Sequence, residues 1–245
     1  MIPKFLCTNT AQKTLIVFAL FIFSSSAFSQ SAFATIWRTT SSGESITIPT
    51  FTGETYDYTV DWGDGSSSDT NVMGDVTHNY AVSGDYLIII TGLFPRIYFN
   101  CEGDKLKIIS IEEWGANPWT SMNSAFVCCE NLVINAGDAP NLSGVTDLGI
   151  MFTGAIYFDG DLSSWDVSKV TNMDHMFADA RAFHGGLGSW DVSSVIDMSG
   201  MFLGATAFND DLSWDISNVL YMTDMFADVT LSTTNYDNTL MVGAL

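Results

Sequence analysis

The sequence predicts a small all-β sandwich followed by a solenoid of stacked units, each with one short strand and one short helix. Residues 33–92 alternate apolar and polar side chains with a period of two, and Gly, Asp and Ser turns interrupt the alternation. From residue 94 onward a pattern recurs every 24–26 residues, which is the length of one solenoid unit. We therefore expect a signal peptide at 1–29, the sandwich at 30–93, and at 94–245 about five units, the last one irregular or truncated.

A secretory signal peptide is predicted at the amino terminus. Lys4 and Lys13 precede the apolar run TLIVFALFIF at 14–23, and small residues follow as far as Ser29. A helix that spans a bilayer needs about 20 apolar residues, and this run has half that number. We therefore expect a secreted or cell-surface protein with no integral membrane segment after cleavage.

The chain is strongly acidic, with 28 Asp and Glu against 8 Lys and Arg and a formal net charge of −20. Nucleic acid is a poor partner for this surface, because phosphate binding requires clustered Lys and Arg. Hydrophobic residues make up 47% of the chain and aromatic residues 13%, so the composition is that of a folded protein.

Three cysteines lie beyond the predicted signal peptide: Cys101, Cys128 and Cys129. An odd number in an exported protein permits at most one internal disulfide. Cys101–Cys128 is one possible pair, because spacing alone does not give disulfide geometry. Cys129 falls in a column of the repeat that Ala holds elsewhere, so we interpret it as a small buried residue.

Three strands are predicted in the first region, at 44–49, 56–62 and 85–91. The motifs DWGDG at 61–65 and HNYAVSGDYLIIITG at 78–92 resemble the polycystic-kidney-disease (PKD) type of immunoglobulin-like domain. That resemblance implies an immunoglobulin-like sandwich in which His78 has a structural role. Four aspartates near the first turn are expected to shape the backbone, with weak Ca²⁺ binding as the alternative; they are Asp61, Asp64, Asp69 and Asp75.

The second region contains WDVSKVTNMDHMF at 165–177, which recurs nearly unchanged at 190–202 and 214–226. Trp and Val alternate with polar residues as in a short strand, and the apolar spacing then becomes three and four, as in a helical turn. Neither segment buries its apolar face alone, so the units are expected to share one core. That core is predicted to contain Trp165, Trp190, Trp214, Met173, Met198, Met222, Phe177, Phe202 and Phe226.

The full pattern, Leu-x-x-Trp-x-Val-Ser-x-x-Val-x-x-Met-x-x-Met-Phe-x-x-Ala-x-x-Phe, covers about 94–240. It resembles the BspA-like leucine-rich-repeat proteins of bacterial surfaces, also called the 26-residue-repeat or DUF285 family. AFVCCENL at 125–132 matches the Ala-Phe-x-x-Cys-x-x-Leu of that family. The resemblance implies an exported, cell-surface or extracellular protein, in some cases linked to adhesion. It implies no catalytic residue and no cofactor.

The most prominent polar feature of the repeats is a column formed by Asp166, Asp191 and Asp215. On parallel strands these carboxylates would lie about 4.8 Å apart on the exposed face. Like charges at that spacing repel, so the column is either solvated or the site of a cation such as Ca²⁺. His175 and His184 fall on variable positions and are expected to be solvated surface residues.

The sequence therefore predicts a non-enzymatic interaction protein that binds protein or glycan ligands through the surface of its repeats. The alternative is an accessory carbohydrate-binding module of a secreted hydrolase, or a spacer or surface-layer element. Burial of Trp37, Trp62 and the Trp residues of the repeats would count against carbohydrate binding, which uses exposed aromatic faces.

Overall fold

The computed structural model describes residues 32–235, so the predicted signal peptide lies outside the described residues. Within this range no helix is long and apolar enough to cross a membrane. The described chain forms eight strands: β1 Phe33–Thr39, β2 Ser45–Ile48, β3 Asp57–Asp61, β4 Asp69–Val72, β5 Val76–Asn79, β6 Gly84–Leu93, β7 Ile108–Glu113 and β8 Val133–Ile134.

Six of these strands form one mixed sheet in the order β4-β3-β6-β1-β7-β8, and β2 pairs with β5 in a separate two-stranded sheet. All pairs are antiparallel except β7 with β8. Strand β1, FATIWRT, lies between β6 and β7 and is almost wholly buried, which accounts for its apolar residues at consecutive positions.

The predicted fold class is wrong in both of its parts. The first region does not form an immunoglobulin-like sandwich: most of its strands lie in one mixed sheet, and β7 and β8 from the second region extend that sheet. Among the described residues, the repeats have no helix before residue 233, and the only helical residues are 233–235. The helix-per-unit solenoid is therefore replaced by a stack of turns.

The helix prediction fails because left-handed residues recur within each unit. His175 (φ 51°) and Asp179 (φ 56°) flank Phe177 at two residues on either side. A run of residues in the right-handed helical region is impossible at that spacing. Tight turns with bonds between residues three apart take its place, such as Ala178 N to His175 O at 3.1 Å and Ala180 N to Phe177 O at 3.0 Å. Consecutive turns of this kind also produce an apolar spacing of three and four.

Neighbouring units are joined by backbone hydrogen bonds between residues 23–26 apart. Phe126 N donates to Met151 O at 2.9 Å, and Phe177 N donates to Met201 O at 2.8 Å. Isolated parallel bridges run through Asp147, Asn172, Asp197 and Tyr221. The units therefore stack in register along one axis; we call this arrangement the repeat stack.

The interior of the repeat stack is a column of parallel rings. Adjacent rings of this column, which runs from Phe126 to Phe226, have centroids 5.6–5.9 Å apart and planes within 12° of parallel. A second column packs beside it, with Phe202 and Phe208 only 3.9 Å apart. The Trp side chains also bridge units, because Trp190 Nε1 donates to Leu162 O at 2.9 Å.

One continuous core of buried residues extends from Phe33 to Met225 and includes both regions. The Cys101–Cys128 disulfide ties the chain that follows the first region to the first repeat, which agrees with the pairing suggested above. Cys129 is free and buried. A domain boundary at 93/94 stays a prediction.

Candidate functional site: the outer flank of the repeats

The predicted core residues of the repeats are placed as follows. Trp165, Trp190, Trp214, Met173, Met198, Phe177 and Phe202 are buried, and Phe226 is half-buried. Met222 is the exception, with 41% of its surface exposed. Its equivalents in the preceding units are fully buried because a following unit covers them, and within residues 32–235 no unit follows Met222.

The ladder of parallel strands that the sequence predicted for Asp166, Asp191 and Asp215 does not form. The bridges between units fall on the chain segment that contains Asn172 and Asp197 instead. The segment around Trp165 forms no strand and lies between two turns, so alternation of apolar and polar residues here does not indicate a strand. We call the exposed surface formed by the three aspartates the outer flank.

Each aspartate of the outer flank accepts a hydrogen bond from the backbone two residues later. The Ser168, Ser193 and Ser217 amides lie 3.1, 3.1 and 3.0 Å from the respective Oδ1 atoms. This is the Asx turn, in which a side chain stands in for a backbone acceptor. Hydrogen bonds from these serines lower the pKa of all three carboxyls, so the flank carries its negative charge down to acidic pH.

Within the described part of the chain, no three His, Cys, Asp or Glu side chains are placed to hold a metal ion. The column of Asp166, Asp191 and Asp215 is therefore not such a group. The four aspartates of the first region likewise bond mainly to nearby backbone and side chains: Asp61 to Gly63 N, Asp64 to Ser66 N, Asp69 to Trp62 Nε1 and Asp75 to Thr50 N.

A polar cluster on the bridge side of the stack was missed from the sequence. Asp147 Oδ1 accepts bonds from Asn172 Nδ2 at 3.0 Å, Asn123 Nδ2 at 3.3 Å and Gly149 N at 2.8 Å. The available signal was the recurrence of Asp or Asn five residues before Phe152, Phe177 and Phe202. This cluster links three successive units, and its hydrogen bonds are made to other atoms of the protein.

Each of the three histidines is paired with an aspartate. His78 Nε2 lies 2.8 Å from Asp64 Oδ2, and its ring stacks on Trp62. Burial acts to raise the pKa of Asp64, but hydrogen bonds from Ser66 and His78 outweigh it and lower that pKa to about 2. The other pairs, His184–Asp159 and His175–Asp174, are more exposed, in agreement with surface positions.

A cleft of about 410 Å³ lies between the first region and the chain that follows it, beside Arg38, Glu44 and Lys107. Its charged groups are paired: Lys107 Nζ lies 3.3 Å from Glu44 and 2.8 Å from Asp104, and Arg38 binds Asp85. The cleft therefore presents salt bridges, and the repeated exposed carboxylates of the outer flank are the better candidate site.

A family model matches the part of the chain that contains the repeats. Residues 120–239 match the family described as "Mycoplasma protein of unknown function, DUF285". No curated protein and no solved structure matches the chain. The match begins within the first unit and covers all the stacked units that follow, so the family resemblance expected from the repeat pattern is confirmed over that range. Residues 120–239 of this chain are therefore similar to the DUF285 family.

Proposed function

We propose that this is an exported, non-enzymatic interaction protein that binds a protein or glycan ligand through the outer flank of its repeats. The observation that carries the proposal is the recurrence of exposed Asp166, Asp191 and Asp215 at one place in three successive units, each fixed by its Asx turn. A row of fixed carboxylates suits a ligand with repeated hydroxyl, amide or cationic donors.

Export is supported by the disulfide as well as by the predicted signal peptide. Cys101 and Cys128 are bonded, and disulfides persist mainly in oxidising compartments outside the cytosol. We therefore place the protein at the cell surface or outside the cell, where an adhesion role would be exercised.

Carbohydrate binding, the alternative function, requires exposed aromatic faces, and the positions of the Trp residues count against it. All seven Trp residues are buried, including Trp37, Trp62 and the Trp column of the repeats. No flat Trp face is thus offered to a sugar ring by the described residues. A spacer or surface-layer role remains the alternative that needs no ligand at the outer flank. The relation of the first region to PKD-type domains, and of the repeats to leucine-rich repeats, stays a proposal that rests on sequence motifs.

Binding of the purified chain, from Gln30 onward, to glycan arrays and immobilised extracellular-matrix proteins tests the proposal. The matched variant is the triple substitution Asp166→Asn, Asp191→Asn and Asp215→Asn. It removes three charges while each Asn Oδ1 still accepts the serine amide, so Tm should not change. We expect the wild type to bind and the variant to lose that binding. Equal binding by both, or no binding to any component, would contradict a role for the outer flank.

Localisation is tested separately by labelling intact cells with an impermeant reagent. We expect the processed chain to be labelled or found in the medium. An unprocessed chain confined to the cytosol would contradict export.

A further inference from the structure

Asn141 occupies the position of the outer-flank aspartates in the preceding unit of the repeat stack. It lies 25 residues before Asp166, which is also the spacing between Asp166 and Asp191. Ser143 follows it by two residues, so the segment NLS at 141–143 has the form Asn-x-Ser in which x is not Pro. This is the acceptor motif for N-linked glycans on the surface loops of secreted proteins. No other asparagine of the sequence has Ser or Thr two residues later.

The Asn141 side chain adopts the same turn as those aspartates. Its Oδ1 accepts hydrogen bonds from the Ser143 amide at 3.2 Å and from Ser143 Oγ at 2.7 Å. Val145 N then donates to Leu142 O at 2.9 Å, as the corresponding atoms do in the next two units. Leu142 is buried, whereas Asn141 and Ser143 are exposed. The turn therefore presents the carboxamide to solvent at a fixed place.

The nitrogen of this carboxamide is available for reaction. A carboxamide offers two N–H donors on Nδ2, and neither of those of Asn141 has an acceptor among residues 32–235. Its Oδ1 accepts the Ser143 hydroxyl, and a hydrogen bond there stabilises the negative charge that moves onto the oxygen when Nδ2 loses a proton. The hydroxyl two residues later thus favours the form of the side chain that attacks an electrophile.

The surroundings of Asn141 have room for a bulky group. Gly144 beside the turn is also exposed, and the side chain of Asn141 bonds only to Ser143 among the described residues. Asn172 is different, because its Nδ2 donates to Asp147 Oδ1 of the preceding unit at 3.0 Å. A substituent on Asn141 therefore breaks no contact between units.

The aspartates of the outer flank share this turn but not this chemistry. Asp166, Asp191 and Asp215 each accept the amide of a serine two residues later, as Asn141 does. A carboxylate has no nitrogen, so it cannot form the carbon–nitrogen bond of an N-linked glycan. Asn141 is thus distinguished from its three equivalents by one side-chain atom, which makes them its matched controls.

We propose that Asn141 is the acceptor for an N-linked glycan. The donor is an oligosaccharide whose anomeric carbon is bonded to the pyrophosphate of a lipid carrier, and a membrane-bound transferase brings donor and acceptor together. Asn141 Nδ2 bonds to the anomeric carbon, the bond from that carbon to the pyrophosphate oxygen breaks, and this oxygen leaves with the electron pair. One Nδ2 proton passes to a base of the transferase. Because such transferases act on chains that cross a membrane, this assignment rests on the export proposed above.

Mass spectrometry of the chain purified from the surface or the medium of the cells that make it tests the assignment. Trypsin places Asn141 in the peptide 108–169, which follows Lys107 and ends at Lys169. A glycosidase that removes N-linked glycans in water enriched in oxygen-18 converts the modified asparagine into labelled aspartate. We expect that label at position 141 and at no other asparagine of the peptide.

Two variants made in the same cells are the controls. Asn141→Asp keeps the turn, since Asp166 forms it, and should lose the glycan without a change in Tm. Asp191→Asn places a carboxamide two residues before Ser193 in the same turn, and this variant should carry two glycans.

Three results would overturn the assignment. The first is an unlabelled Asn141 in a chain that has been processed and exported, which would leave the proposed function untouched. The second is an unchanged glycan mass in Asn141→Asp, or a single glycan in Asp191→Asn. The third is a chain that keeps its signal peptide in the cytosol, which would overturn export as well. The array experiment uses protein made in cells without this transferase, so its outcome does not depend on Asn141.

Discussion

Replacing Phe202 by Ala removes the middle ring of the column on which the repeat stack depends. Phe202 is fully buried, and its ring contacts those of Phe177, Phe226 and Phe208 at centroid distances of 5.7, 5.6 and 3.9 Å. Truncation of a buried Phe costs about 3–5 kcal/mol through lost transfer energy and the cavity that remains. For a domain of this size, that corresponds to a Tm lower by roughly 6–20 °C.

Phe226→Ala is the matched control, because it makes the same change in the same column at the half-buried last position. It should cost about half as much, since less apolar surface returns to water. Urea and thermal unfolding followed by circular dichroism measure both. Equal losses for the two variants, or a negligible loss for Phe202→Ala, would refute the view that the column is the shared core.

Three further predictions follow from local geometry. Gly63→Ala should destabilise far more than Gly43→Ala in thermal unfolding: both glycines have positive φ, but a Cβ at 63 would lie 2.3 Å from Leu87 O, whereas nothing lies near one at 43. Replacing Cys101 and Cys128 together by Ser should cost about 3–4 kcal/mol by the loop-entropy relation; a loss below 1 kcal/mol would argue against a stabilising disulfide. Stability should fall as pH drops from about 4.5 to about 2. Hydrogen bonds from the Thr40 and Ser41 amides lower the pKa of Glu44 from 4.5 to about 2. The pKa of Asp64 is likewise lowered from 3.8 to about 2. Carboxyls with lowered pKa stabilise the fold above their unfolded values and lose that contribution on protonation, so a Tm that is constant over this range would contradict the assignment.

The sequence was sufficient to place several strands and the interior of the repeats. Alternation identified the buried face of YDYTVDW, where Tyr58 and Val60 are buried on β3. Recurrence of Phe at 24–26 residues identified the ring column, because only side chains that meet in every unit need such regular spacing.

The sequence could not distinguish a helix from successive tight turns. Both produce apolar residues three and four apart, and the difference lies in backbone angles at residues such as His175 and Asp179 that show no preference strong enough to reveal them. Glycine at 200 and 204, in the same positions one unit later, was the available hint of a left-handed conformation.

The backbone structure around the candidate site was predicted wrongly for a related reason. Asp166 was assigned to a ladder because Trp-Asp-Val alternates, yet the bridges form at Asn172 and Asp197, in a segment without clear alternation. Pairing between units depends on which peptide groups face the neighbour, which is a property of the turns and not of side-chain polarity.

The most direct test of the account is an NMR measurement of contacts between aromatic rings and amides of successive units. We expect nuclear Overhauser effects from Phe177 to Phe202 and from Phe202 to Phe226, because those centroids lie 5.7 and 5.6 Å apart although the residues are 24–25 positions apart. Contacts limited to residues three and four positions away, with none between units, would indicate independent helices and would contradict the repeat stack.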